Sequence, residues 1–171
     1  MLQKVLFPVL LLGCLAYVEV LACNGYKAKV VKMENCAGDD AIISVDPDFS
    51  VKLNKKCELV PIGCVNNKAF TTATAKYKVQ KDGIVMKEGK MDLCSAVEEV
   101  SSEAKDMLKV FGAPSSCPVA EEKICSNNHS VDLSKYKAML SMARGHLIID
   151  SEIKHDTGKS CFHAEINITK S

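Results

Sequence analysis

Nine cysteines in 171 residues are the groups in this chain most able to do chemistry, and the compartment decides what they do. Reduced thiols hold metals or act as nucleophiles, whereas thiols outside the cytosol pair as disulfides. The first residues select the second case. Lys4 precedes an apolar run from Val5 to Val18, Glu19 ends it, and Val20-Leu21-Ala22 supplies the small and apolar residues of a cleavage site. Residues 1–22 therefore read as a signal peptide. The run is short for a membrane span, which needs about 20 apolar residues. No later segment approaches that length.

Cleavage removes Cys14 and leaves Cys23, Cys36, Cys57, Cys64, Cys94, Cys117, Cys125 and Cys161. An even set in an oxidising compartment implies four disulfides and no free thiol. A lipidated Cys23 of the bacterial lipoprotein type would leave an odd number, which argues against it. There is no Cys-x-x-Cys pair and no histidine at ligand spacing from a cysteine cluster, so no metal is expected.

Other reactive side chains are sparse. His129, His146, His155 and His163 form no H-E-x-x-H, and no G-x-S-x-G occurs. His163 and Glu165 share a strand face that reads as solvated. The expectation is a protein that is not an enzyme, with no catalytic residue and no cofactor. Asn128-His129-Ser130 and Asn167-Ile168-Thr169 are glycosylation sequons, making Asn128 and Asn167 candidate glycan sites. With 22 basic and 21 acidic residues and no charged tail, nothing points to nucleic acid as a partner.

The elements that must position these groups are mostly strands. Ala28 to Met33 and Ala41 to Val45 are β-prone, and Asp46-Pro47-Asp48 is a turn. Phe49, Val51 and Leu53 alternate with polar neighbours. From Ala69 to Gln80, Ala73, Ala75, Tyr77 and Val79 share one face, and Thr72, Thr74, Lys76 and Lys78 share the other. Asp82-Gly83 then turns the chain into a return strand from Ile84 to Leu93. Ser95 to Phe111 breaks the alternation. Val97, Val100, Ala104, Met107, Leu108 and Phe111 recur at helical steps, Ser95 with Glu98 fits a capping box, and Gly112 and Pro114 end the helix. His146 to Lys154 and Cys161 to Thr169 flank a turn at 156–159, with Phe162, Ala164, Ile166 and Ile168 inward. Short strands, turns and one inserted helix give an all-β fold, a two-sheet immunoglobulin-like β-sandwich.

The order of these pieces carries a resemblance. Asn35-Cys36 follows the first strand, and Asp46-Pro47 precedes the next long one. Asp92-Leu93-Cys94 closes a hairpin, Cys117-Pro118 and Cys125 bracket a loop, and Thr157-Gly158-Lys159-Ser160-Cys161 opens the last strand. Over residues 30 to 170 the chain resembles the ML lipid-recognition family, closest to its ganglioside GM2 activator-like branch. It departs from that branch in having Cys125-Ser126-Asn127 where a close Cys-x-Cys follows the proline loop. The resemblance implies that residues 23–171 form a single lipid-recognition domain with an internal lipid cavity between the sheets. It implies bridges Cys36–Cys161, Cys117–Cys125 and Cys57–Cys64, which leave Cys23 with Cys94. It also implies a secreted or lysosomal lipid-binding and transfer protein. Such a protein would hold a glycosphingolipid, sterol or fatty acid, touch membranes transiently, and present its lipid to a glycosidase or a receptor. The alternatives are a lipid-sensing recognition protein and a secreted carrier of an apolar signal molecule.

The inward positions expected to line a cavity are Tyr77, Val79, Ile84, Met86, Met139, Met142, Leu147, Ile149 and Phe162. Met107, Leu108 and Phe111 at the helix end are expected at its mouth. Each buried methylene of a lipid tail would gain about 0.8 kcal/mol.

Overall fold

Alternating apolar and polar residues build eleven antiparallel strands, seen in a computed structural model that describes residues 22–126 and 129–170. The strands are β1 (Tyr26–Asn35), β2 (Ile43–Val45), β3 (Ser50–Leu53), β4 (Glu58–Ile62), β5 (Cys64–Asn67), β6 (Ala73–Lys81), β7 (Ile84–Asp92), β8 (Glu122–Cys125), β9 (Val131–Asp132), β10 (Gly145–His155) and β11 (Lys159–Lys170). The helices are α1 (Leu93–Glu99), α2 (Ser102–Val110) and α3 (Lys137–Met142). One sheet has eight strands in the order β7-β6-β10-β11-β1-β3-β4-β9, and the other has three in the order β2-β5-β8. The fold is thus an all-β, two-sheet sandwich. Residues 1–21 of the expected signal peptide 1–22 lie outside the described residues, as do Asn128 and the side chain of Met139.

Register places the expected faces inward. Leu147, Ile149 and Ser151 on β10 stand opposite Ile166, Ala164 and Phe162 on β11. On the other side of β10, Ile149 and Ile153 stand opposite Val79 and Ala75 on β6. The three-stranded sheet covers only one half of this face. There, Ile43 and Val65 pack with Phe70, Ala73, Ala75 and Ile153 in one core cluster. A second cluster, Cys23, Tyr26, Cys57, Val131, Leu133, Leu140 and Ile168, sits toward the other end.

The single helix expected over Ser95 to Phe111 is two helices. Val100 is extended (ψ 154°), and the Ser101 hydroxyl accepts from the Ala104 amide to cap a new start. Such a cap satisfies one of the free amides at a helix start and so permits a break. Asp92, rather than Ser95, caps the first helix, its carboxylate accepting from the Ser95 amide at 3.0 Å. Helix α2 ends at Gly112, where φ is +69° and a Cβ would collide with Val65 on β5. Only glycine lets this helix end dock so closely on the small sheet.

Four bridges staple the sandwich, and three of them differ from the implied set. Cys36–Cys161 joins β1 to β11. Cys57 pairs with Cys23, not with Cys64. The reason is a sheet switch: β4 belongs to the large sheet and β5 to the small one, and the chain crosses at Gly63 with φ +93°. Cys64 instead faces Cys125 across the β5–β8 ladder and bonds to it. Cys125 is therefore unavailable to Cys117, which ties its loop to Cys94 on α1. Cys23 and Cys94 lie at opposite ends of the large sheet, beside Tyr26 opposite Lys170 and Asp92 opposite Thr74 respectively.

Candidate functional site

Between the two core clusters the sheets leave a hollow of about 690 Å³. Its floor is the large sheet: Ala28, Val30 and Met33 from β1, Ile153 from β10, and Phe162, Ala164 and Ile166 from β11. Its roof is Ile43 and Val45 of β2 and Val65 of β5. Helices α1 and α2 close one side through Ala96, Val97, Leu108 and Phe111. Among the described residues, Ser50 and Ser116 bring the only hydroxyls to the lining, and no charged side chain lines it. The exposed lining residues Met91, Val100 and Ser116 mark the mouth, where β7 meets α1.

Alternation explains the floor, because every second residue of a strand faces the same way. Ala164 matters most for its smallness. It sits on central strand β11 between Ile149 and Met33, where a longer side chain would occupy the hollow. A hollow of this kind forfeits dispersion contacts unless a guest fills it. Its size falls within the roughly 300–1,000 Å³ of small-molecule sites.

At one end of the hollow a polar clamp joins the layers. Ser160 is 1% exposed. Its Oγ accepts from the Ile43 amide at 2.8 Å and lies 2.9 Å from His155 Nε2. Burial pushes the His155 pKa below its ordinary value, with a weaker opposing pull from Asp156. Nε2 and the Ser160 hydroxyl share one hydrogen bond, and Nδ1 stays buried without a partner among the described residues. This serine-histidine pair resembles a nucleophile and base in composition only. The hydroxyl is inaccessible and already bonded to β2, so its work is to hold the β10–β11 hairpin against the small sheet. Asp156 beside it accepts from the Thr71 hydroxyl and amide and from the Thr72 amide, which hold its carboxyl at about 2.

The outer face of the large sheet carries a different arrangement. His163 Nδ1 lies 2.7 Å from Asp150, and its Nε2 lies 3.2 Å from Glu165. The bond to Asp150, then that to Glu165, raises the His163 pKa. His146 approaches the other Glu165 oxygen at 3.2 Å. The His163–Glu165 pair expected to be solvated is instead half-buried and linked to Asp150. Among the described residues no group of three His, Cys, Asp or Glu is arranged to hold a metal.

Of the residues expected to line a cavity, Phe162 and Phe111 do so, as does Leu108. Leu108 and Phe111 form a half-buried wall, not an exposed cluster at the mouth. Met107 and Leu147 pack against the second core cluster. Tyr77, Val79 and Ile149 are half-buried along the same sheet face, outside the hollow. Ile84, Met86 and Met142 are 68%, 62% and 69% exposed, so the inward expectation for them is corrected. Ile84 and Met86 stand beyond the end of the second layer, where no described residue covers the sheet, and Met142 ends α3. Asn167 lies half-buried on β11 between Lys29 and His146. The lining contributed by β2, β5 and α1 has no sequence signal beyond short apolar runs.

No family model matches the chain. It is, however, 36% identical over 152 residues to sporozoite-associated mosquito saliva protein 1 of Anopheles gambiae, across 86% of this chain and 84% of that protein. The chain belongs to the family of that saliva protein. With so much of the chain aligned, kinship within the saliva-protein family extends to most of the sandwich rather than to one segment.

Proposed function

We propose that the protein is a secreted carrier that holds an acyl chain or a sterol between its sheets, on the plan of the ML lipid-recognition family. The observation that carries this reading is the hollow of about 690 Å³, walled by hydrocarbon and lacking any charged lining residue. Such a space favours a ligand with a long apolar part and gives no group for chemistry on it. Each methylene moved from water into it contributes about 0.8 kcal/mol. The relative is a saliva protein, which supports secretion over lysosomal delivery as the destination. A second reading, a lipid-sensing recognition protein that docks on another cell, is favoured by the relative's association with sporozoites.

Lipid extraction with native mass spectrometry of the purified protein tests the carrier directly, alongside displacement of an apolar fluorescent dye. Ala164→Phe should fill the hollow and weaken dye uptake by about ten-fold or more, with thermal stability kept or raised. Wild-type protein that retains no lipid and takes up no dye would sink the reading.

A further inference from the structure

The exposed apolar residues gather at the tip of the β6–β7 hairpin, away from the hollow. Ile84, Val85 and Met86 follow the turn at Asp82-Gly83, and all three face solvent. Met142, at the end of α3, joins them, because the Lys81 ammonium donates to the Met142 carbonyl at 2.7 Å and ties helix to hairpin. The turn itself is fixed: the Asp82 carboxylate accepts from the His146 amide, and the Asp82 amide donates to the His146 carbonyl, both at 2.8 Å. This is a convex, built apolar cap and not a frayed loop.

The hairpin carries an excess of basic residues. Residues 76–90 hold five lysines against two carboxylates, in a chain whose net charge is only +1. Closest to the cap are Lys81, Lys87 and Arg144, none with a carboxylate at ion-pair distance among the described residues. The mouth of the hollow has the opposite sign, for residues 92–106 hold five carboxylates against one lysine. An apolar point ringed by cations matches an anionic bilayer surface, where hydrocarbon enters the interface and lysines meet lipid headgroups. A second copy of this chain matches poorly. Its own lysines would face these, and the bulge between Val79 and Gln80 interrupts the regular edge that strand pairing needs.

We propose that the β6–β7 tip, with Met142, docks the protein on membranes rich in anionic phospholipid, with the mouth of the hollow turned away from the bilayer. Nine residues of β7 separate tip from mouth, about 30 Å at strand rise. The proposal stands independently of whether the hollow holds lipid.

The test is co-sedimentation of the full mature chain with vesicles of phosphatidylcholine alone or with about a third phosphatidylserine. Binding is expected only to the anionic vesicles and should weaken as salt is raised. Ile84→Asp with Met86→Asp should lower partition by about ten-fold or more, and Lys87→Glu or Arg144→Glu by about five-fold each. Thermal melts of these variants should match wild type, since the positions are exposed. Equal binding to neutral vesicles, or no loss in the Ile84→Asp, Met86→Asp variant, would overturn the proposal. So would a dimer in light scattering that this variant abolishes while wild type ignores vesicles.

Discussion

At the base of the β6–β7 hairpin, Ala73 and Ala75 are buried under the small sheet and Met91 lines the hollow. At the tip, Ile84, Val85 and Met86 face water. The two ends share one pair of strands and a similar share of apolar residues, across a bulge between Val79 and Gln80. What differs is the second layer. Helix α1, the Cys94–Cys117 bridge and the small sheet stand over the base, whereas no described residue covers the tip. Concave hydrocarbon at one end can enclose a guest, and convex hydrocarbon at the other can only be enclosed by something else. The hairpin is basic along its length, with Lys76 opposite Lys90 toward the base, and the acidic excess lies beyond it, in residues 92–106.

The strongest way to break this contrast is to loosen the large sheet that floors the covered end. Cys36→Ser with Cys161→Ser removes a bridge between residues 125 apart in sequence. It should cost about 2–5 kcal/mol in chemical denaturation. If the hollow depends on that floor, dye uptake should fall while vesicle binding by the folded fraction persists.

A smaller effect compares like with like. Ile153→Ala, under the small sheet, should cost about 2–4 kcal/mol. Ile84→Ala, at the tip, should lie within about 0.5 kcal/mol of wild type. Equal losses at the two positions would mean that the tip is covered and that the contrast is false.

The smallest effect is a dependence on pH, and it also has two sides. His155 at the covered end has a folded pKa below 6.5, so stability falls as pH drops below the unfolded value and the unfolded chain takes up the proton. His163 on the outer face has a folded pKa above 6.5. Its contribution is fully present below 6.5 and is lost as pH rises through the folded value. His163→Gln should therefore make melting temperature fall more steeply between about pH 7.5 and pH 5. His155→Gln should flatten that fall. The opposite pair of slopes would reverse the assignment of the two histidines.

Much of the sandwich was legible because alternation is a local signal. The inward set Phe162, Ala164, Ile166 and Ile168 and the inward alanines of β6 follow from period two alone. The short strands β4, β5, β8 and β9 were not legible, since two to five residues carry too little pattern to separate them from loops. The cavity list suffered most. Ile84 and Met86 were expected inward because they lie on a strand, and Val45, Val65 and Leu93 went unnoticed because their runs are brief. The bridges show the same limit: strand neighbours such as Cys64 and Cys125 meet only after the chain has changed sheets at Gly63.

By itself the sequence determined the local and the compositional: eight cysteines in pairs, which residues share a strand face, and where the turns fall. Those depend on neighbours along the chain and on the compartment. Tertiary structure alone decided which cysteines meet, where the two sheets part around a hollow, and which apolar residues remain outside. These depend on how far one layer extends over another, a property of distances between segments that alternation within a segment does not encode.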